Sequence, residues 1–407
     1  MAKVLITSIG KGRSSSGYNR ANYEIDGKVY ENEKFIASAL HKHINFDKVF
    51  IVGTSFSIWE AVYEDLGNGS ADTTYKILEA QEEKKLETLI PLIQDQLDKN
   101  LNTKGSKCYI IKYGVNEDEL LENFNYFLDI AKNLNKDDEV YLDITHSFRS
   151  LSLMSFVMSE AISNLREKPL NIKGVYYGMF EYSAENHGVT PVVDLKIFFE
   201  FLDWSKAIRN FKEYGNSSDL LRLISDDENL SSFRQNFIYF SNALNMTNMK
   251  SIKDALRTKI KPKLSELKEA KNRIYEPIID ELESFVKWLD VESFALFQYN
   301  LAKWYAKNKN YALSYMVLQE AIISAVCEDY SFNVENKDRR EEAKDTIYKW
   351  SKNPKNQVYP IYYEINLIRN SITHAFECKK RQKDSDAINN LDRYLEQLNK
   401  PLFKKRK

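Results

Sequence analysis

The sequence is poor in the residues that interrupt or cross-link a chain. Its 407 residues include only 13 glycines, 8 prolines and 3 cysteines. This low glycine and proline content, beside 13% aromatic residues, excludes a disordered or low-complexity chain. Cys108, Cys327 and Cys378 are widely spaced and form no C-x-x-C pair, so neither a disulfide framework nor a zinc site fits them. We expect buried thiols.

The sequence also lacks an excess of either charge and a long apolar run. Its formal net charge is −1, so no basic field covers the whole chain, and any contact with RNA must be local. No apolar run is long enough to span a membrane, and the first residues lead into a strand pattern rather than a signal peptide. We expect a cytoplasmic protein with no membrane partner.

The first half shows an alternation of short β-branched runs and longer amphipathic stretches. Strands are predicted at residues 4–8, 23–25, 28–30, 48–52, 108–112, 139–142 and 173–177. Helices are predicted at residues 33–43, 57–65, 75–101, 117–134 and 150–165. The alternation predicts an α/β, Rossmann-like domain with a mostly parallel, doubly wound sheet. Its ligands should lie at the carboxyl ends of the strands, near a topological switch point.

The second half carries helical periodicity alone. Strand patterns stop after about residue 196, and few glycines or prolines interrupt the rest of the chain. We predict an α/β domain over residues 1–198, a helical connector over 199–290 and an all-helical domain over 291–407.

The segment Arg369-Asn370-Ser371-Ile372-Thr373-His374 is the strongest candidate for catalysis. It comes after Pro360 on a predicted helix, where a proline is tolerated in the first turn. The apolar stripe of that helix consists of Ile361, Ile365, Ile368, Ile372 and Phe376. At about 100° per residue, Arg369 and His374 lie about 140° apart, so they do not form an intrahelical pair. Two copies of the helix across a twofold axis would bring both residues into one cleft.

Such a cleft suits the cleavage of RNA without a metal. The 2′-OH of RNA attacks the adjacent phosphorus, which needs a proton carrier that titrates near neutral pH and a fixed cation on the phosphate. His374 offers the first role and Arg369 the second, with Asn370 placed to bind the phosphate or position the histidine. The alternative is a chance spacing, in which His374 is a solvated side chain at a helix end.

Glycines and polar groups also come directly after the predicted strands of the first half. Gly10, Lys11 and Gly12 lie after the first strand, where a phosphate can approach the backbone. This is no dinucleotide fingerprint, since Ser15 occupies the place of the third glycine and a hairpin comes next. The other candidates at the strand ends are Ser8, Thr54 and Ser55.

The densest polar group of the first half comes after the strand at 139–142. Asp143, Thr145, His146 and Arg149 lie at a strand-to-helix turn, where a helix N-terminus already favours anions. The alternative is that Asp143 or Thr145 merely caps the helix while Arg149 pairs on the surface. We expect no metal, because no second ligand lies at suitable spacing from His146.

These segments carry two resemblances. Residues 4–10, the tyrosine-rich hairpin, residues 37–40, Val52-Gly53-Thr54-Ser55 with Trp59, and Asp143–Arg149 together resemble a CARF domain of CRISPR-associated type III accessory proteins. The helical segment with Arg-Asn-x-x-x-His resembles a HEPN domain, and residues 311–330, with Glu320, resemble its other long core helix.

Together the resemblances imply a type III CRISPR ancillary ribonuclease that works as a homodimer. A cyclic oligoadenylate, by family habit the tetra-adenylate, would bind across the CARF dimer and activate cleavage of single-stranded RNA at the HEPN cleft. No other cofactor is implied. The floor and walls of the activator site would be Ser8, Gly10, Lys11, Thr54, Ser55, Thr145, His146 and Arg149. The resemblance leaves open a slow cleavage of the activator assisted by Thr145 or His146.

Two rival hypotheses keep part of this assignment. In the first, the protein is a nucleotide sensor whose helical half is a non-catalytic effector or scaffold. In the second, it is a HEPN ribonuclease toxin that acts on RNA without any control by a cyclic nucleotide.

Overall fold

The computed structural model describes residues 1–11, 19–146, 149–167, 169–225, 231–265, 276–374 and 383–406. The predicted site residue Gly12 and the side chain of Arg149 lie outside the described residues, as do Phe376 and Cys378. The chain forms two compact units, Met1–Phe199 and Glu200–Lys407. Within the described ranges, no helix is both long and apolar enough to cross a membrane.

An eight-stranded sheet forms the centre of the first unit. Its strands are β1 (Lys3–Ser8), β2 (Ala21–Ile25), β3 (Lys28–Glu33), β4 (Lys48–Thr54), β5 (Lys107–Ile111), β6 (Glu139–Asp143), β7 (Asn171–Gly178) and β8 (Val189–Asp194). Their order is β3-β2-β8-β7-β6-β1-β4-β5. The pairs from β7 through β6, β1 and β4 to β5 are all parallel. The predicted mostly parallel sheet is therefore confirmed.

Helices cover both faces of this sheet. They are α1 (Ile36–Ile44), α2 (Trp59–Ala61), α3 (Ala71–Glu82), α4 (Ile90–Leu101), α5 (Glu117–Lys132) and α6 (Arg149–Leu165). Because side chains alternate along a strand, Val49 and Ile51 of β4 join the core with α1 and α4, whereas Phe50 and Val52 join the core with α5 and α6. The sheet is doubly wound, as the sequence predicts.

Local turn chemistry explains the hairpin, and it also explains one error of the sequence prediction. Asp26 and Gly27 have φ of 51° and 76°, as a type I′ turn between β2 and β3 requires. The single helix expected over residues 75–101 is wrong. Lys84, with φ of 58°, ends α3, and Pro91 lies at the start of α4, where proline fits the first turn.

The strand β8 is the other departure from the sequence prediction, which placed no strand there. It pairs antiparallel with β7 and parallel with β2, and so joins the β2–β3 hairpin to the rest of the sheet. Its sequence, Val-Thr-Pro-Val-Val-Asp, contains a proline, a residue that argues against a central strand.

The second unit is helical throughout its described residues. Its helices are α7 (Lys196–Tyr214), which begins at the end of the first unit, α8 (Ser218–Ser225), α9 (Ser231–Asn245), α10 (Met249–Ala255), α11 (Glu276–Leu289), α12 (Phe294–Lys307), α13 (Tyr311–Asp329), α14 (Lys337–Lys349), α15 (Val358–His374) and α16 (Asp384–Leu398). Shorter 3₁₀ or π turns lie at Leu256–Ile260, Lys261–Lys263, Trp350–Lys352 and Asn399–Phe403. The all-helical second half is therefore confirmed.

The helix α13 is the centre of the second unit. It is apolar on nearly every side, and the side chains from Val317 to Cys327 are buried with few exceptions. The helix α15 packs against this centre through Ile361, Ile365 and Ile368. Cys108 and Cys327 are both buried free thiols, as expected.

Candidate functional site

The carboxyl ends of neighbouring parallel strands form one polar edge of the first unit. After β1 the chain first forms the β2–β3 hairpin at the far end of the sheet, then adds β4 on one side of β1 and later β6 on the other side. A topological switch point therefore lies between β1 and β6, where Thr7 and Asp143 are register partners. The polar segments that the sequence indicates, after β1, β4 and β6, meet at this edge.

The buried Asp143 side chain links β1 to the turn that follows β6. Its side chain is buried, with 1% of the residue exposed. One carboxylate oxygen accepts a hydrogen bond from Thr7 Oγ1 at 2.5 Å, and the other accepts one from the Thr145 amide at 2.9 Å. Burial raises the pKa of Asp143, although these hydrogen bonds act in the opposite direction. Asp143 thus holds the turn that follows β6, and both of its hydrogen bonds precede α6, which begins at Arg149.

Thr145 ties the turn after β6 to the end of β7. Its hydroxyl oxygen accepts a hydrogen bond from the Gly178 amide at 2.9 Å, and the Ile144 amide donates to the Tyr176 carbonyl at 3.1 Å. A Cβ on Gly178 would lie 3.2 Å from atoms of Ile36, Thr145 and Tyr23, so a larger residue would crowd the turn. The backbone of this turn is therefore fixed on both sides.

His146 is partly covered by aromatic side chains of other elements. Its Nε2 lies 3.5 Å from Tyr23 Oη, and Phe35 meets its ring edge-on at 6.2 Å between centroids. Burial lowers the pKa of His146 to about 4, because the imidazolium would lose its hydration. The imidazole of His146 is therefore uncharged at neutral pH.

This lowered pKa predicts a pH dependence of stability. Between about pH 6.5 and pH 4 the unfolded chain takes up a proton at His146 and the folded chain does not, so folding becomes less favourable as the pH falls. We expect the loss in unfolding free energy between pH 7 and pH 4.5 to be about 2 kcal/mol larger in the parent than in His146→Asn. Urea unfolding of both proteins at the two pH values measures this difference in unfolding free energy. Equal losses of unfolding free energy in the two proteins would contradict a lowered pKa of His146 in the folded state.

The remaining predicted residues of this edge divide into buried and exposed groups. Ser8 and Thr54 are buried, with 4% and 0% exposed, and the Gly10 backbone is buried as well. Lys11 and Ser55 are exposed. Arg149 begins α6 at the same edge. A ligand at this edge would therefore meet Lys11 and Ser55 directly, while Ser8 and Thr54 lie beneath the surface.

Two residues that the sequence reasoning missed complete this edge. Ser57 is fully buried, and its hydroxyl donates to the Ile9 carbonyl at 3.0 Å and accepts from the Thr54 amide at 2.9 Å. It thereby joins the ends of β1 and β4. Phe56 is 47% exposed beside Ser55. The sequence signal that could have identified Phe56 is its place directly after the Thr54-Ser55 pair at the end of β4.

No group of three or more histidine, cysteine, aspartate or glutamate side chains suited to a metal occurs among the described residues.

The helix α15 carries the second candidate site. It runs to His374, so the angular separation expected from the sequence applies along its whole length. Arg369 is partly buried, and its Nη1 donates to Asn370 Oδ1 at 3.2 Å. His374 is the exposed last residue of the helix. Within one chain Arg369 and His374 therefore face different directions, about 140° apart.

Buried polar contacts fix the placement of α15. Asn366 Oδ1 accepts a hydrogen bond from Gln319 Nε2 of α13 at 2.6 Å. One turn further along α15, Arg369 lines a cleft in the second unit. Glu320, the next residue of α13, lines the same cleft and pairs with Arg340 of α14.

Comparison with known proteins matches the chain to two families and to a homologous protein. The family described as "CRISPR system endoribonuclease Csx1, CARF domain" matches residues 4–181, and "CRISPR-associated protein MJ1674, second domain" matches residues 200–293. The chain is 33% identical over 437 residues to the CRISPR-associated protein MJ1674 of Methanocaldococcus jannaschii. This match covers 100% of the chain and 67% of that protein, so the chain spans about two thirds of its relative's length.

A solved structure also matches the chain along its whole length. It is Enterococcus italicus Csm6 bound to cyclic hexa-2′-fluoro-hexa-dAMP, with 12% identity, a TM-score of 0.43 and coverage of 100% of this chain and 96% of that one.

Proposed function

The chain belongs to the CRISPR-associated CARF proteins, in the family of MJ1674, and from this membership we propose that it is a ribonuclease activated by a cyclic oligoadenylate. The enzyme would cut single-stranded RNA in type III CRISPR defence, without a metal. The observation that carries the proposal is the presence in one chain of two sites: a polar edge at a topological switch point, and a helix with Arg369 and His374.

We place the activator at the polar edge of the first unit. A cyclic oligoadenylate presents phosphates and adenine bases. Lys11 supplies an exposed cation, Ser55 a hydroxyl, and Phe56 an exposed ring on which a base can stack. The N-terminus of α6, at Arg149, adds amide groups and the positive end of a helix dipole, which favour phosphate. Asp143 acts here by holding the turn and not by binding the ligand.

We place cleavage on α15. The 2′-OH of the RNA attacks the adjacent phosphorus and the bond to the 5′-oxygen breaks, which gives a 2′,3′-cyclic phosphate and a 5′-hydroxyl. His374 carries a proton to or from the reacting oxygens, a role for which its exposed imidazole at the end of α15 is accessible. The Arg369 guanidinium binds the phosphate as negative charge develops on it, and Asn370, which Arg369 contacts, orients that guanidinium.

The working unit of this proposal is a dimer. Arg369 and His374 do not converge within one helix, so a complete site needs α15 from two chains. The helix α6 also carries apolar side chains toward solvent one turn apart, with Leu153 66% and Val157 48% exposed. Such a face is typical of a helix that packs against a partner. A twofold contact there would place two activator edges side by side.

Activation is then a shift between two arrangements of the dimer. The activator must bind the active arrangement better than the inactive one, by a few kcal/mol if the shift is to be large. The two rival functions differ from this proposal in what they predict. A sensor with a non-catalytic helical unit binds the activator and cuts no RNA, whereas an uncontrolled toxin cuts RNA equally well without it.

Ligand-dependent thermal unfolding tests the sensor half of the proposal. Purified protein is heated alone, with cyclic tri-, tetra- or hexa-adenylate, and with linear tetra-adenylate as the control. We expect the cyclic tetra-adenylate to raise the unfolding temperature, since a ligand at 100 times its Kd stabilises the folded state by about 2.7 kcal/mol. Lys11→Glu should lose most of that shift. No shift with any ring would overturn the sensor assignment.

A further inference from the structure

A cleft of about 490 Å³ lies beside Arg369 in the second unit. Its walls come from the start of α10, from α12, α13 and α15, and from the segment that leads into α14. The volume falls within the range of small-molecule sites, about 300–1,000 Å³. The cleft is therefore large enough for a nucleotide. Arg369, to which we assign phosphate binding, forms part of its wall.

Part of the lining of the cleft is apolar and flat. Phe294 lies at the start of α12, where its ring packs at 5.9 Å from that of Phe297. Met249 and Met316 add thioether side chains, which pack readily against aromatic rings. These side chains suit the face of a nucleobase.

Among the described residues, the two carboxylates that line the cleft pair with cations other than Arg369. Glu320 pairs with Arg340, and Glu335 pairs with Lys250 at 2.7 Å. Among the described residues no ion pair joins a carboxylate to Arg369, and its guanidinium donates a hydrogen bond to the neutral Asn370. The acidic side chains of the cleft therefore do not neutralise the cation that faces a phosphate.

Gln298 is the most informative residue of the cleft. It lies one turn after Phe294 on the same face of α12, and 2% of it is exposed. Its Oε1 is buried with no hydrogen-bond partner in the part of the chain that the structure describes. Buried amide atoms without a partner are rare in folded proteins. Rotation of the amide exchanges its oxygen and nitrogen, so Gln298 can present an acceptor or a donor at this position.

We propose that this cleft binds the nucleobase next to the scissile phosphate, with Gln298 hydrogen-bonded to the edge of that base. The inference rests on the proposed ribonuclease function and assigns its substrate specificity to one residue. Protein sites that read single-stranded RNA combine stacking on a base face with hydrogen bonds to a base edge. Phe294 and Met316 provide the first of these interactions and Gln298 the second.

The experiment measures base preference at a fixed cut. Oligoribonucleotides are 2′-O-methylated at every position except one, so that attack by a 2′-OH occurs at one place. The base on either side of that cut is varied among A, C, G and U, and kcat/KM is measured with activated parent, Gln298→Met and Gln319→Met. Gln319 is a second buried amide, 5% exposed, that belongs to the α13–α15 contact and not to the cleft.

We expect the parent to prefer one base on one side of the cut by about tenfold, as one hydrogen bond can provide. Gln298→Met should reduce this preference to less than threefold, whereas Gln319→Met should change the rates with all four bases by the same factor. A parent without preference, or a Gln298→Met enzyme that keeps the parental preference, would overturn the inference. If the parent cuts none of the RNAs, the proposed function itself fails.

A second variant covers the case in which Gln298→Met does not fold. Met316 is only partly buried, so Met316→Trp fills the cleft from one side with little effect on the core. We expect it to raise KM for the preferred RNA at least fivefold and to leave the ligand-induced thermal shift of the first unit unchanged. An unchanged KM would show that the cleft does not take up the base and would overturn the inference.

Discussion

His374→Asn is expected to lower the rate of RNA cleavage by about 10²- to 10⁴-fold, the usual contribution of a general acid or base. His374 is exposed at the end of α15, so its replacement should not disturb the helical core. Arg369→Ala should cost about 10²- to 10³-fold, because it removes the cation that faces the developing charge. Both rates are measured under single-turnover conditions with activator at saturation.

A matched control separates the loss of catalysis from a general effect of removing a histidine. His187 is another exposed histidine, in a loop of the first unit, with φ of 52°, which asparagine also accepts. His187→Asn should cut RNA at the parental rate. If His374→Asn also did so, the catalytic assignment would be wrong, and the helical unit would be either a non-catalytic effector or an enzyme that uses other residues.

Charges placed on the exposed face of α6 are expected to abolish activity by separating the subunits. Leu153 and Val157 are 66% and 48% exposed on adjacent turns. Loss of a central interface side chain costs about 2 kcal/mol, so Leu153→Arg with Val157→Glu should weaken association by about 10³-fold. Sedimentation analysis should show a monomer, and RNA cleavage should fall in proportion to the lost dimer.

The control for this prediction is a similar pair of apolar residues on another helix. Tyr75 and Leu78 of α3 are 71% and 41% exposed. Tyr75→Arg with Leu78→Glu should leave both the dimer and the activity intact. An α6 variant that cuts RNA normally as a monomer would contradict the composite site and, with it, the reason for pairing two copies of α15.

The main features of the fold could be predicted because local patterns determine them. The β4 sequence Lys-Val-Phe-Ile-Val-Gly-Thr is apolar on both faces, as a strand between two helical layers must be. The strand β8 could not be predicted, because its proline argues against a central strand and its partner β2 is far away in sequence. It pairs with Asn22–Glu24 of β2 and with 176–178 of β7.

The segments proposed as sites could be assigned to strand ends and to a helix from the sequence, but the contacts of their residues could not. The segment after β6 stood out as polar, yet its sequence does not show that Asp143 is buried under Thr7 or that His146 lies beside Tyr23. Those contacts join residues more than 100 positions apart, which only the folded sheet brings together. The cleft with Gln298 depends in the same way on contacts among several helices.

The control of cleavage by the activator is the central claim, and one measurement tests it most directly. Purified protein is incubated with a fluorescent single-stranded RNA in the presence of EDTA, with no ligand or with cyclic tri-, tetra- or hexa-adenylate. We predict slow cutting without ligand and a large stimulation by one ring size, the tetra-adenylate, that persists in EDTA. Equal cutting with and without every ring would contradict activator control, and loss of cutting in EDTA would contradict the metal-free mechanism.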